Sequence, residues 1–466
     1  MILTKVFDFL SSIKLAVIVI LGLAVVSAVG TIVEARYDAE VAQKLVYHSP
    51  WMLSVLGLLC VNLIAVMVDR WPWKRHHSGF VLAHIGIIIM LVGSVFTAKY
   101  GVDGSMSFDI GGSNRYVTVP EQEFGVYSSF SGDRVTEISK KTVDFFLSQP
   151  SSEDPFVVNV GTDTIEVVDY FHYGIRKEDI IETELERSGP GIRFQLQNAN
   201  VNLSEWLIKP IKKQQESINL GPARVVLSNG DYKYSSGNEI VLTPHPEQRG
   251  LEYEIYTKSK GGKTASGFVE AGSSLETGWM GLTFRLLRYL PRAERKVTYS
   301  ESEYPNKLTH PAILLKFRNE EHWVALNSVL RLYDENKMFI VTFGNRRIDL
   351  GFPMKLTDFR VGKYQGTQRA ATYESDVLVP EMGTINISMN EPLKHAGYTF
   401  YQASFESDEM GRPTKSILSV NYDPGRGLKY LGSALMVLGT ILLFYFKKTL
   451  RGGASGKKAP QKAKAS

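Results

Sequence analysis

Four apolar stretches constrain how this chain can fold more than any other feature. They cover residues 15–33, 51–68, 78–98 and 430–446. A helix needs about 20 predominantly apolar residues to cross the ~30 Å hydrocarbon core of a bilayer. The sequence therefore predicts a multi-pass membrane protein. Because Lys5 precedes the first stretch and small residues end it, a cleaved signal peptide is the alternative for that stretch alone.

Basic residues close to the spans predict the orientation of the chain in the bilayer. The connection 69–77 carries Arg70, Lys74 and Arg75, and residues 447–466 carry seven basic side chains and no acidic one. Both segments are therefore expected in the cytoplasm, together with both termini. A bacterial plasma (inner) membrane is the expected location. A thylakoid membrane is the alternative, and it is less favoured because the sequence shows no recognisable transit peptide.

The predicted fold is an α-helical membrane protein with four transmembrane helices and a large extracytoplasmic β-rich domain inserted between helices 3 and 4. Residues 1–98 are expected to hold the first three helices, and 99–429 the β-rich, periplasmic domain. Residues 430–446 form the fourth helix, and 447–466 a basic cytoplasmic tail. Short alternating apolar runs separated by Gly, Asn and Asp turn signals predict the strands. They indicate no boundary inside the domain.

Charge and cysteine usage exclude several classes of protein. The formal net charge of +5 becomes −2 once the seven positive charges of the tail are set aside, so no nucleic-acid-binding surface is indicated. The single cysteine, Cys60, lies in the second span. The β-rich domain therefore contains no disulfide, no CxxC redox pair and no haem-attachment motif of its own. These facts exclude a thiol reductase and a c-type cytochrome.

The third span contains one ionisable residue, His84, in an otherwise uncharged apolar segment. Ionisable groups at that depth usually serve a function. Gly79, Gly86 and Gly93 recur every seven residues and form a stripe where another helix can approach closely. His84 lies ~200° around the helix from Gly86. We therefore expect one helix on the glycine stripe and a second partner, protein or cofactor, on the opposite side.

The residues alone leave the role of His84 open. It either ligates a haem iron within an apolar sheath or makes a hydrogen bond to a neighbouring helix. His77, seven residues earlier on the same side, is a candidate second contact to the haem or a solvated flanking residue. A self-contained b-type cytochrome needs two axial ligands for each haem. Only one histidine lies well inside a span, which argues against that class.

Short motifs near the end of the β-rich region occur in one order along the chain. They are LGFPMKLTDF at 350–359, YESDV at 373–377, NEPL at 390–393, GYTFYQ at 397–402 and DPG at 423–425. Together with FLSSIKL at 9–15 and three early spans, they resemble the ResB-like family of cytochrome c biogenesis proteins (System II). The positions of Pro and Gly within them favour strand edges and turns, so we interpret the motifs as fold signatures rather than reactive groups.

The resemblance implies a role in delivering haem b across the membrane for covalent attachment to CxxCH motifs of apocytochrome c. The haem is then a transient ligand, and His84 matches the third-span histidine that binds haem iron in the family. The expected partners are a ResC/CcsA-type membrane protein, apocytochrome c, thiol reductants of the same pathway and the lipid bilayer.

The chain is then one subunit of a holocytochrome c synthase (haem lyase) complex, without independent catalytic activity and without catalytic residues of its own. The alternative is a non-catalytic membrane scaffold or chaperone that binds apocytochrome c or the partner subunit.

Overall fold

Helices occupy both ends of the described part of the chain, and strands occupy the long segment between them. The computed structural model describes residues 2–446 except 131–133, 187, 222, 235, 335–336 and 367–368. The α-helices are α1 (Ile2–Leu10), α2 (Ile13–Arg36), α3 (Ala39–Ala42), α4 (Pro50–Asp69), α5 (Ser78–Tyr100) and α6 (Arg426–Phe444). A π-helix (Gln43–Tyr47) and two 3₁₀ turns (Arg75–His77 and Lys258–Lys260) complete the described helical segments. The predicted tail 447–466 lies outside the described residues.

Four of the described helices are long and apolar enough to cross a membrane. They are Ile13–Arg36, Pro50–Asp69, Arg75–Tyr100 and Arg426–Phe444. The predictions of four such helices and of a large β-rich region are confirmed. Three of these helices precede the strands and one follows them. The sequence analysis missed α1, a short helix whose polar residues Lys5 and Asp8 lie among exposed apolar ones.

Local sequence explains where the first two long helices begin. Ser12 caps α2 by accepting a hydrogen bond from the Leu15 N–H, and Ser49 caps α4 with Pro50 at its first position. Asn62, buried inside α4, donates from Nδ2 to the Leu10 carbonyl at 2.7 Å and to the Ser12 carbonyl at 3.3 Å. A polar side chain in the middle of an apolar helix thus satisfies the backbone carbonyls where the chain passes from α1 to α2.

The described strands run from Val102 to Tyr422. They are β1 (Val102–Asp109), β2 (Ser113–Ser129), β3 (Thr136–Val143), β4 (Phe156–Val160), β5 (Asp163–Glu182), β6 (Gly191–Gln197), β7 (Asn202–Ile208), β8 (Gln215–Leu220), β9 (Ala223–Ser228), β10 (Asn238–Pro244), β11 (Leu251–Thr257), β12 (Gly262–Val269), β13 (Ser274–Glu276), β14 (Thr283–Leu290), β15 (Ala293–Glu301), β16 (Thr309–Phe317), β17 (Glu320–Ala325), β18 (Ser328–Asp334), β19 (Lys337–Lys363), β20 (Ala370–Val379), β21 (Gly383–Ile387), β22 (Leu393–His395), β23 (Tyr398–Ser407) and β24 (Pro413–Tyr422).

The chain divides into two compact units, a division that the sequence did not indicate. The first comprises Met1–Tyr173, Ser302–Lys307 and Pro311–Ser466, and therefore contains the four long helices. The second comprises Gly174–Glu301 and Leu308–His310. Strand β5 begins in the first unit and ends in the second.

In the first unit, ten of the described strands form one sheet in the order β21-β20-β19-β2-β1-β24-β23-β22, with β18 on β19 and β3 on β2. Strands β1 and β24 connect directly to the long helices. Val102 follows α5 and pairs with Tyr422, just before α6, and the antiparallel ladder continues to Asp109 and Lys415. The helix pair α5–α6 thus continues directly into the antiparallel strand pair β1–β24.

Two apolar cores stabilise the strands of the first unit. One lies against the ten-stranded sheet and includes Met106, Phe400 and Val420. The other includes Phe124, Tyr170 and Phe343. The ring of Phe145 packs against the rings of Tyr170 and Phe343. Burial of such large side chains contributes about 1.5–3 kcal/mol each.

The second unit is built from two sheets that share a core. One sheet has the order β12-β11-β10-β9-β8, with β9 and β10 parallel, and the other has the order β13-β14-β6-β7. Alternate residues of both sheets point inward and meet around Phe194, Phe284 and Trp279, all almost completely buried. This arrangement is typical of a β-sandwich.

Candidate functional site

Helix α6 packs along the glycine stripe of α5. Gly79, Gly86 and Gly93 lie against the α6 segment from Gly425 to Leu443. A Cβ atom placed on Gly86 would lie only 2.6 Å from the carbonyl oxygen of Gly432. The predicted approach of a helix along this stripe is confirmed, because the missing side chains let the two backbones touch.

His84 lies on the other side of α5 and is half-buried. Its Nδ1 atom is 2.9 Å from the carbonyl oxygen of Phe80, one turn earlier. A carbonyl oxygen only accepts, so Nδ1 carries the proton and Nε2 keeps its lone pair. Among the residues that the structure describes, no hydrogen bond involves Nε2. A neutral imidazole whose Nδ1–H is held by a carbonyl is the usual form of a metal-binding histidine.

Two further side chains extend this arrangement toward the short connection before α5. The Phe80 and His84 rings have centroids 4.0 Å apart. On Phe80 lies the guanidinium of Arg70, with its Cζ 4.0 Å from the ring centroid. Arg70 directly follows the last residue of α4 and is its C-cap. Helical spacing predicts that Phe80 lies on the same side of α5 as His84. The sequence indicates only an orienting role for Arg70, because no local pattern predicts its contact with Phe80.

His77 lies in the 3₁₀ turn that precedes α5 and is half-buried. Its Nδ1 accepts the Lys74 N–H at 3.4 Å, and its ring packs edge-on against His76 with centroids 4.2 Å apart. Within the described part of the chain, no three His, Cys, Asp or Glu side chains come together to hold a metal ion. The role of His77 as a haem contact stays a prediction.

A polar cluster on the loop between α2 and α4 escaped the sequence analysis. Lys44, in the π-helix, places its Nζ 2.9 Å from Glu40 Oε1 and 2.9 Å from Asp144 Oδ1. Asp144 immediately follows β3. The charged groups join the loop to the strands of the same unit. Lys44 and Asp144 lie 100 positions apart in the sequence, so only the tertiary structure brings these two residues together.

Asp38 and His172 form the second half of this cluster. Asp38 accepts the Tyr173 hydroxyl at 2.7 Å and the Val41 N–H at 2.8 Å, and His172 Nε2 lies 3.5 Å from its Oδ2. Burial opposes ionisation of this carboxyl, but these contacts outweigh it and hold the pKa of Asp38 below its usual range. On its other side, His172 Nδ1 is 2.9 Å from the Tyr170 hydroxyl, and burial raises the pKa of that tyrosine.

The motif residues near the end of the strands are structural. Ser375, Gln402 and Ser416 form a buried hydrogen-bond network in which Ser375 Oγ lies 2.6 Å from Gln402 Oε1 and 2.7 Å from Ser416 Oγ. Other motif residues fill the core, among them Phe400 and Leu393. A network closed on itself in this way has no group free to react.

Asp423, the first residue of the DPG motif, ties the strands to the helix pair. Its Oδ1 accepts the Thr97 hydroxyl at 2.6 Å, and its Oδ2 accepts the Lys429 ammonium at 2.7 Å. The Gly425 N–H also donates to this carboxylate at 3.1 Å. Burial opposes ionisation, but the Lys429 and Thr97 contacts outweigh it and lower the pKa of Asp423. The motif therefore clamps α5 to the start of α6.

Comparison with known proteins finds a family match in the last part of the strand region. Residues 334–416 match the ResB-like family model. A segment of 106 residues is 36% identical to Protein NrfI of Wolinella succinogenes. The alignment covers 22% of this chain and 11% of the relative, so the chain corresponds to a small part of that protein.

Proposed function

We propose, from the match of residues 334–416 to the ResB-like family model, that this chain takes part in cytochrome c biogenesis. Its specific task is to hold haem in the membrane, together with a ResC/CcsA-type partner, for attachment to the CxxCH motifs of apocytochrome c. Haem is therefore the substrate that passes through the site.

One observation carries this proposal: the geometry of His84. Its Nδ1 is engaged by the Phe80 carbonyl at 2.9 Å, which leaves Nε2 available to an iron atom. The glycine side of α5 is occupied by α6, whereas His84 lies half-buried on the other side, where a cofactor or a partner helix would approach it. Porphyrin needs an apolar sheath, and α5 is apolar on either side of His84.

His84 acts by binding rather than by catalysis. It supplies one axial ligand, and a partner subunit supplies the other. The chain holds no cysteine outside Cys60, so separate thiol reductants keep the apocytochrome thiols reduced. By the charge rule, the connection 69–77 faces the cytoplasm and the strands face the periplasm. Haem at His84 would then lie between the compartment where it is made and the one where it is attached.

The test compares the haem spectrum and the cytochrome c yield of the complex, co-expressed with its partner, for wild type and His84→Ala. We expect both to be lost and both to recover with added imidazole, which fills the space that the substitution leaves. His48→Ala is the matched control, because His48 follows the π-helix at the start of α4 rather than lying inside a span. It should leave both readouts unchanged.

Unchanged haem and unchanged yield in His84→Ala would favour the scaffold alternative. In that case the strands would bind apocytochrome c or the partner, and His84 would only pack against a helix. If His84→Ala kept its haem spectrum but lost cytochrome c yield, His84 would be needed for haem attachment and not for haem binding. That result would contradict its role as a ligand of the haem iron.

A further inference from the structure

We propose that Arg70 binds a carboxylate of the haem held at His84, an inference that rests on the function proposed above. The guanidinium would pair with a propionate at the edge of the macrocycle, while His84 Nε2 takes the iron. The binding site then recognises an amphiphilic, anionic porphyrin rather than any planar metal complex.

The position of Arg70 is the first argument. Its guanidinium lies 4.0 Å from the centroid of Phe80, and the Phe80 ring lies 4.0 Å from that of His84. Although 14 positions separate Arg70 from His84 along the chain, Phe80 contacts both side chains at the end of α5 that adjoins the connection 69–77.

The second argument is the pairing state of Arg70. Several arginines have a carboxylate partner, among them Arg115, which binds Asp349, and Arg412, which binds Asp408. Within the described residues, Arg70 has no such ion pair, and its side chain is exposed. A guanidinium offers a planar fork that matches a carboxylate with two parallel hydrogen bonds. The charge and the geometry for a carboxylate are therefore present at Arg70, and no carboxylate of the described residues pairs with it.

The third argument is the amphiphilic nature of haem. Its macrocycle favours an apolar environment, whereas its two propionates favour water or a cation. Arg70 lies where α4 ends, at the boundary between the apolar span and the basic connection. A haem oriented with its iron at His84 and its carboxylates toward this boundary satisfies both preferences at once.

Arg70 also contributes to the positive charge that orients the chain, so a test must separate recognition from topology. Arg75 is the matched control, because it belongs to the same short connection but lies in the 3₁₀ turn. Arg75→Gln removes the same charge from the same side of the membrane. Arg70→Lys keeps the charge of Arg70 but lacks the planar fork.

The experiment measures binding of ferric protoporphyrin IX and of its dimethyl ester to the complex purified with its partner from haem-limited cells. The ester keeps the iron and the macrocycle and lacks the two negative charges. Wild type should prefer the acid form, and Arg70→Gln should reduce this preference by about tenfold or more, the effect of losing a charge-assisted hydrogen bond. Arg70→Lys should lie between the two, and Arg75→Gln should match wild type.

An unchanged preference in Arg70→Gln would overturn the proposal, and so would an equal loss in Arg75→Gln. If Arg70→Gln weakened both forms equally, its role would be to support Phe80, and the carboxylate assignment would be wrong. His84→Ala separates this result from the underlying function. It should weaken both forms and abolish the axial-ligand spectrum, whereas an unchanged spectrum would contradict haem ligation itself.

Discussion

Gly86 and Gly432 bring the backbones of α5 and α6 into contact, and this contact determines which side of α5 is left for His84. A Cβ on Gly432 would in turn lie 2.8 Å from the Met90 N atom. Each helix therefore excludes a side chain on the other. The result is a closely packed pair whose outward side presents the Phe80–His84 stack.

Replacement of Gly86 by leucine should separate the two helices and disturb the proposed haem site at His84. The added side chain meets α6 backbone atoms that cannot move aside, and such overpacking typically costs about 1–3 kcal/mol. We expect a lower thermal midpoint and a weaker haem spectrum in the purified complex. Gly57→Leu on α4 is the control, because nothing lies within 4 Å of its added Cβ. Equal effects of the two substitutions would contradict the role of the stripe.

Asp38→Asn should loosen the loop between α2 and α4 in a pH-dependent way. The pKa of Asp38 is lowered in the folded protein, so its ionised form contributes stability above the ordinary value of 3.8. That contribution is lost as the pH falls through the lowered pKa. Hydrogen exchange of residues 39–47 should therefore be faster in Asp38→Asn than in wild type at pH 7. The difference should shrink at pH 3, and a difference that grows on acidification would show the sign to be wrong.

Asp423→Asn should weaken the junction between the strands and the helix pair. The substitution removes the charge that binds Lys429 and weakens the bond from Thr97. Loss of a hydrogen bond to a charged group costs about 1.5–3 kcal/mol. Asp408→Asn is the control, since Asp408 pairs with Arg412, which is largely exposed, in a turn between strands. That exposed pair should contribute less to stability, because solvent screens it. Thermal unfolding of both variants in the same detergent compares them directly, and equal midpoints would exclude a clamp at Asp423.

Local properties of the chain were enough to predict several of these features. The four spans follow from the length and apolarity of single segments, which need no knowledge of the remaining fold. The glycine stripe follows from a spacing of seven within one helix, and it indicated both a helix partner and the opposite position of His84. The family resemblance depends on short motifs in a fixed order. Each of these spans, spacings and motifs depends only on residues that lie close together in the sequence.

Other features depend on residues far apart in the chain. Nothing near Asp38 indicates that Tyr173 and His172 approach it, and nothing near Lys44 indicates Asp144. The division into two units was equally hidden, because β5 begins in one unit and ends in the other as a single strand. Long-range pairing of strands decides these contacts, and pairing partners are not encoded in local periodicity.

The sequence by itself determined that this chain has four membrane-spanning candidates, a β-rich region and one histidine in an apolar helix, because hydrophobic length and helical spacing are local quantities. Only the tertiary structure decided that α6 covers the glycine side of α5, that Asp423 clamps the two helices and that Arg70 stacks on Phe80 beside His84. The physical reason is that each of these contacts joins segments whose approach is set by the packing of the whole unit.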